Sequence, residues 1–294
     1  MKSLLLKAHA KINVCLNITG KNKDNYHELD MVMLPLEYHD TIVLSRINNS
    51  EDNFITFDNM VVEKADDSIV SKVTYAFLEK YKRKERFSIS IHKAIPAKAG
   101  LGGGSSDTAT VLNGLCDFLK IHMTDKEKEE MLLPLGADCP YFINCVPARC
   151  KGIGEKITPI DVAKRYYVLI VQPSDGCKTK DVYEAFDKSP IKGGNVDDVC
   201  DALQKGDVEK LSKSAFNVLE SASISIVPSI EKIKNKLIDF HLPMVLMTGS
   251  GSAVFALSEE KKELKKAFKY FDRFTDTNVI FTKTMAQRKN DKTC

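Results

Sequence analysis

What this 294-residue sequence lacks narrows its function before any motif does. No run approaches the 18 consecutive apolar residues of a membrane span, so no membrane partner is expected. A net charge of +3, from 43 basic against 40 acidic residues, is too small to argue for nucleic acid. The lysines are interspersed with acids, as between Glu259 and Lys269, which is the pattern of a solvated helix face. Eight cysteines (15, 116, 139, 145, 150, 177, 200 and 294) include no C-x-x-C pair and no metal-type spacing. Cys15, between Val14 and Leu16, illustrates their reading as small buried hydrophobes in a reducing compartment. The opening Met1-Lys2-Ser3-Leu4-Leu5-Leu6-Lys7 has an apolar run of three, too short for a secretory leader. A bacterial cytoplasmic location is expected, or a plastid stroma if a leader has been removed. There is no internal repeat and no low-complexity segment. Hydrophobic content of 43% and charged content of 28% are those of an ordinary globular chain, long enough for two modest domains.

The periodicity places extended segments at residues 3–18 and about 28–44, and a helix at 66–81 that Asp66, Asp67 or Ser68 can cap. Phe87, Ile89 and Ile91 alternate with Ser88, Ser90 and His92, giving a strand that feeds Pro96. Beyond Pro159 the pattern predicts a strand at 166–171 and helices at 179–186, 197–203, 207–220 and 228–240. Strands at 244–247 and 253–257, a helix carrying Leu264, Phe268 and Phe271, and a strand at 279–284 follow. That β-β-α-β ending predicts a ferredoxin-like half. The fold class expected is α+β in two domains, 1–158 and 159–286, with a polar tail at 287–294.

Gly100-Leu101-Gly102-Gly103-Gly104-Ser105-Ser106-Asp107 is the tightest functional constraint, with four glycines in five positions. Ala109, Leu112, Leu115 and Leu119 recur at helical spacing behind it, so the glycines lead into a helix N-terminus, a natural phosphate site. The Walker pattern fails because Ser105 and Ser106 follow Gly104, and the dinucleotide fingerprint fails because its last position falls on Ser105 or Asp107. A phosphate site with no redox or metal motif points to phosphoryl transfer. Asp138, in the apolar Leu135–Phe142 run, is either a base or a turn aspartate. Lys11, on an apolar strand, is either its electrostatic partner or a snorkelling edge lysine. Ser105 and Asp107 can hold Mg²⁺ or cap the helix. Tyr26-His27 can form a platform for a base, and Gly249-Ser250-Gly251 is either a hairpin turn or a second phosphate-side loop.

Pro96 through Asp107 resembles the phosphate loop of the GHMP kinases, the superfamily of galactokinase, homoserine kinase and mevalonate kinase. The run from Ala10 to Met33, then Leu135–Phe142, Gly152–Glu155 and Met247–Gly251, extends the resemblance in order over about residues 8 to 257. It implies a two-domain GHMP fold and an ATP-dependent kinase for the 2-hydroxyl of a cytidyl-diphospho-methylerythritol. Homoserine- or mevalonate-type kinases, or a nucleotide-binding regulator without turnover, are the alternatives.

On matching positions Asp138 is the base and Lys11 its partner. Pro96, Ala97, Lys98, Ala99, Gly100, Leu101, Gly102, Gly103, Gly104, Ser105 and Ser106 hold ATP, with Lys93 nearby. Asn13, Tyr26, His27, Tyr183, Gly249 and Ser250 face the substrate. Ser68, Lys98 and Lys178 depart from the family pattern. A small-molecule substrate, ATP with Mg²⁺, and a monomer or homodimer are expected.

Overall fold

The structure, a computed structural model, describes residues 3–48, 52–58 and 67–286. The expected tail at 287–294 and the cap candidate Asp66 lie outside the described residues. In those described, the chain forms two compact units that interleave in sequence: Met1–Ala10, Tyr38–Ile95 and Gly102–Cys145 in one, Lys11–Glu37, Pro96–Leu101 and Val146–Cys294 in the other. The interleaving follows from two long strands, β1 (Ser3–Lys21) and β2 (His27–Ile47), each contributing a half to either unit.

In the first unit, β2 pairs antiparallel with β4 (Arg86–His92) from Thr41↔His92 to Ile47↔Arg86. Strand β3 (Phe54–Asp58) lies parallel to β4. The alternation in β4 buries Phe87, Ile89 and Ile91 together with Ile42 and Leu44 of β2. Three helices belong to this unit: α1 (Ile69–Lys80), α2 (Gly103–Leu119) and α3 (Asp125–Leu132). Ser68 caps α1 by accepting from Ser71 N. Gly114 lets α2 close on the sheet, since a Cβ there would lie 2.5 Å from Leu6 and 3.3 Å from Leu44. Val111, Leu112 and Leu115 complete that contact face and are fully buried. Helix α3 starts on a capping box between Thr124 and Glu127.

In the second unit, β5 (Ala148–Gly152) pairs antiparallel with β2 from Leu29↔Gly152 to Met33↔Ala148, and β6 (Lys156–Pro159) pairs with β5. A second sheet contains β7 (Tyr167–Pro173), β9 (Met244–Met247), β10 (Val254–Ser258) and β11 (Thr277–Lys283), all antiparallel in the order β11-β7-β10-β9. With α8 (Ser229–Asp239) before β9 and α9 (Lys261–Phe271) before β11, this is the ferredoxin-like arrangement expected from the sequence. The apolar stripes Ile230/Ile233/Leu237 and Leu264/Ala267/Phe271 are buried, as are all of Val168–Val171 and Val254–Leu257. Helices α4 (Thr179–Lys188) and α5 (Val196–Lys205) match the expected helices to within two residues. Among the described residues no helix is long and apolar enough to cross a membrane.

One expectation is corrected. The helix expected at 207–220 is two helices, α6 (Val208–Ser214) and α7 (Glu220–Ile226), broken by a short strand β8 (Phe216–Asn217). Ala215 is extended, and Phe216 and Asn217 pair parallel with Cys15 and Leu16 of β1. The break places the buried Asn217 amide where Nδ2 donates to Met247 O (2.9 Å) and Gly249 O (2.8 Å), while Oδ1 accepts from Leu219 N (3.0 Å). Helical periodicity cannot register such a residue, because its side chain satisfies backbone groups remote in sequence. Asn217→Ala leaves three buried backbone groups without that partner. Urea titration is expected to show a loss of about 2–4 kcal/mol; a loss under about 0.5 kcal/mol contradicts the clamp.

Candidate active site

The octapeptide forms the helix entry that its glycines suggest. Gly102 is the N-cap of α2, at φ 75° and with no side-chain cap, so the first amides of a 17-residue helix are left to a ligand or solvent. Gly103 and Gly104 keep that end bare. A Cβ on Gly103 would press on Ile95 at 3.0 Å, whereas Gly104 is exposed.

Beside this helix end in the first unit lies the turn carrying Asp138. Cys139 N donates to Gly136 O at 3.0 Å, which puts the half-buried Asp138 third in a four-residue turn. The Cys139 thiol hydrogen-bonds the Ser105 hydroxyl, and burial pushes that thiol up to about 11, leaving it a neutral packing group. A Cβ on Gly136 would lie 3.1 Å from Cys139 Sγ and 3.6 Å from Ser105 Oγ. The loop and the Asp138 turn are thus held together by Ser105, Gly136 and Cys139.

Beneath the same helix end is a charge cluster. Asp40, fully buried, accepts from Ala94 N (2.6 Å) and Ile95 N (2.7 Å) and receives the Lys93 ammonium. Lys93 also donates to Asp107 Oδ2 at 2.5 Å. Lys93, expected beside the phosphates, is therefore engaged by two carboxylates, and its Nζ would stand 3.4 Å from a Cβ on Gly103. Burial, opposed by Lys93 and reinforced by Asp40, pushes the Asp107 carboxyl up to about 7. Its Oδ1 is buried without a hydrogen-bond partner.

In the second unit two glycine segments touch. Gly100, at φ +75°, has Thr248 O 2.2 Å from where a Cβ would stand, and Gly249 at φ +56° has Gly100 Cα at 3.1 Å from its own. The contact is stitched by Ser252 N donating to Lys98 O (3.1 Å), Ala253 N to Ala99 O (3.3 Å) and Gln172 Nε2 to Ala97 O (3.0 Å). Lys98 sits at φ 54°, in the left-handed region. Thr248 Oγ1 accepts from Asn13 N at 3.0 Å, and Lys11 N donates to Leu101 O at 3.0 Å. The Lys11 ammonium, on a residue only 3% exposed, donates to Asn13 Oδ1 at 2.6 Å and lies 3.4 Å from the Cβ position of Gly249. Lys11, Asn13, Gly100 and Gly249 thus converge. Ser250 is anchored through its Oγ to Thr179 Oγ1 (3.1 Å) and through its carbonyl to Ser223 Oγ (3.1 Å).

A third cluster in the second unit surrounds His27. Tyr26, 63% exposed, precedes it at the end of a turn in which Asn22 Oδ1 accepts from Asp24 N and Tyr26 N. Tyr183 packs against the His27 ring at 4.7 Å between centroids, tilted 36°. Sequence reasoning found these residues but missed Asp187, Asn217, Thr248 and Asp40. Asp187 carries a readable signal, since it lies four residues after Tyr183 on the same helix face.

Asp107 gives the first test. Its native carboxyl holds a proton that the unfolded chain releases at about 3.8, so this contribution to stability is full below that pH and is lost as pH rises through about 7. Asp107→Asn stays neutral and keeps an oxygen for Lys93. Denaturant titrations from pH 5 to 8 should show wild type losing about 2–3 kcal/mol relative to the variant, most of it below pH 7; a pH-independent difference contradicts the raised carboxyl.

Residues 68–144 match the model of the GHMP kinases N terminal domain, and residues 200–275 that of the GHMP kinases C terminal. The 4-diphosphocytidyl-2-C-methyl-D-erythritol kinase of Clostridium kluyveri is 37% identical over 258 residues, 87% of this chain and 91% of the relative. Its Clostridium novyi counterpart is 33% identical over 281 residues, 95% of this chain and 100% of the relative. A crystal structure of 4-(cytidine 5'-diphospho)-2C-methyl-D-erythritol kinase superposes with a TM-score of 0.80 at 25% identity, covering 96% of this chain and 100% of the other. A homoserine kinase from Cytophaga hutchinsonii shares the fold at a TM-score of 0.75 and 17% identity, over 98% and 96% of the two chains.

Proposed function

The chain belongs to the 4-diphosphocytidyl-2-C-methyl-D-erythritol kinases of the GHMP superfamily, and from that premise we propose the reaction it performs and the residues that perform it. It transfers the γ-phosphoryl of ATP to the 2-hydroxyl of 4-diphosphocytidyl-2-C-methyl-D-erythritol, a step in non-mevalonate isoprenoid precursor synthesis. The observation that supports the phosphoryl-transfer reading is the uncapped N-terminus of α2 behind Gly102, a bare helix end of 17 residues.

We assign the ATP phosphates to Gly100–Ser106 and the segment Pro96–Ala99 leading to it. Lys93 acts there through Asp107 and the loop it supports, not as a free phosphate ligand. Mg²⁺ is suited by one or two oxygen donors plus nucleotide phosphates. Ser105 and Asp107, whose buried Oδ1 has no hydrogen-bond partner, would hold the ion, Asp107 by giving up the proton that it carries in the free protein, and the ion would neutralise phosphate charge there.

We assign Asp138 as the group that receives the proton of the acceptor hydroxyl. Phosphoryl transfer asks of a protein chiefly positioning and charge stabilisation, so this carboxylate orients the hydroxyl as well as accepting its proton. Lys11, a buried ammonium braced by Asn13, stabilises the negative charge that develops as the proton leaves. Asn13, Gly249 and Ser250 contact the methylerythritol-diphosphate part. His27 reads the cytosine edge, with Tyr26 and Tyr183 as aromatic walls. The chain works as a monomer or homodimer in the cytoplasm, and it has no nucleic-acid partner.

Asp138→Asn is expected to fold and bind ATP while kcat falls about 10³-fold; turnover within tenfold of wild type contradicts the assignment. Tyr26→Ala is expected to raise KM for the cytidyl substrate about tenfold, with kcat changed less than threefold. An unchanged KM removes Tyr26 from the base site.

A further inference from the structure

The base site assigned above contains a carboxylate with no role in it. Asp187 stands near the end of α4 and divides its two oxygens between two strand residues. Oδ1 is 2.7 Å from His27 Nε2, and Oδ2 accepts from Lys21 Nζ at 2.7 Å. Tyr183, Phe186 and Asp187 lie at i, i+3 and i+4 on one helix face. All three meet the His27 ring, with Tyr183 packed on it at 4.7 Å and Phe186 edge-on at 6.4 Å. The imidazole is consequently fixed in orientation by one face of α4.

The contact also fixes which ring nitrogen carries hydrogen. Lys21, and after it His27, hold the Asp187 carboxyl below its usual range, so the carboxylate is an acceptor only. Nε2 must then be the donor, and in the neutral ring Nδ1 is left as a lone-pair acceptor. Among the described residues Nδ1 has no hydrogen-bond partner. An acceptor in that position takes a hydrogen from an exocyclic amino group and repels a carbonyl oxygen. Cytosine presents the amino group, and uracil presents the oxygen at the same ring carbon.

We propose that Asp187 is a positioning residue that sets base selectivity: it holds His27 in the Nε2–H form, with Nδ1 facing the ligand as an acceptor for the cytosine amino group. The proposal rests on the assignment of His27 to the cytosine edge. Asp187 acts through His27 and does not itself touch the substrate. Lys21 keeps the carboxylate ionised and turned toward the ring.

The test compares steady-state kinetics of the full-length chain on the cytidyl substrate and on its uridyl counterpart, for wild type, Asp187→Ala and His27→Ala. Thermal melts confirm folding. Asp187→Ala is expected to raise KM for the cytidyl substrate about tenfold, with kcat within about twofold, and to lower the cytidyl-to-uridyl ratio of kcat/KM at least tenfold. Long-range ¹H–¹⁵N spectra of histidine-labelled protein, with His27 assigned by its substitution, are expected to show a single Nε2–H form in wild type and a tautomer mixture in Asp187→Ala. If His27→Ala collapses the ratio while Asp187→Ala leaves it within twofold, the role given to Asp187 is wrong and the base-site assignment survives. A fall in kcat without a change in the ratio marks Asp187 as merely structural and overturns the proposal. If His27→Ala itself leaves KM and the ratio unchanged, the assignment of His27 to the base fails, and this proposal fails with it.

Discussion

The close approach of Gly100 to Thr248 is the constraint on which the second unit's chemistry depends. The Thr248 carbonyl occupies the space of a Cβ at residue 100, 2.2 Å from where one would stand, so only glycine lets the two segments meet. Their meeting aligns three other groups. Thr248 Oγ1 takes the Asn13 amide, Asn13 Oδ1 takes the Lys11 ammonium, and Gly249 leaves room for that ammonium at 3.4 Å. Asn217 holds the far side of the turn by its bonds to Met247 and Gly249 carbonyls. A backbone contact between two glycine segments thereby sets the position of a buried charge.

Lys93, Lys11 and His27 are each oriented by a neighbour of complementary chemistry. Lys93 is held by Asp40 and Asp107, Lys11 by Asn13, and His27 by Asp187. The environments differ and so do the consequences. Asp40 and Asp107 are almost wholly buried, so two carboxylates share one ammonium and Asp107 is driven toward its neutral form. Asp187 is 37% exposed and close to Lys21, so it stays ionised and serves as an acceptor. Solvent access, rather than residue type, separates a carboxyl that holds a proton from one that orients an imidazole.

Much of this was legible in the sequence because it rests on local rules. The octapeptide forms a helix entry since glycines before a helical apolar stripe permit little else, and Gly102 takes the left-handed cap. The ferredoxin-like half follows from alternating strands and amphipathic α8 and α9. What escaped depends on partners distant in the chain. Asn217 reads as one polar residue in a helical stretch, yet it breaks that stretch to pair with β1 and clamp residues 247–249. Asp40 lies unremarked within the extended segment at 28–44, yet it receives two backbone amides and Lys93. Thr248 differs from its neighbours only through Asn13 and Gly100. The capping box at Thr124–Glu127 is the exception, a local signal that marks α3 directly.

The reaction assigned to the chain is phosphorylation of one cytidyl-diphospho-linked acceptor in preference to other small alcohols. ADP release by the purified chain, measured with ATP and Mg²⁺ against 4-diphosphocytidyl-2-C-methyl-D-erythritol, mevalonate and homoserine in parallel, tests it most directly. The account predicts turnover with the cytidyl substrate and background rates with the other two. Comparable or faster ADP release with mevalonate or homoserine, or none above background with all three, would contradict it.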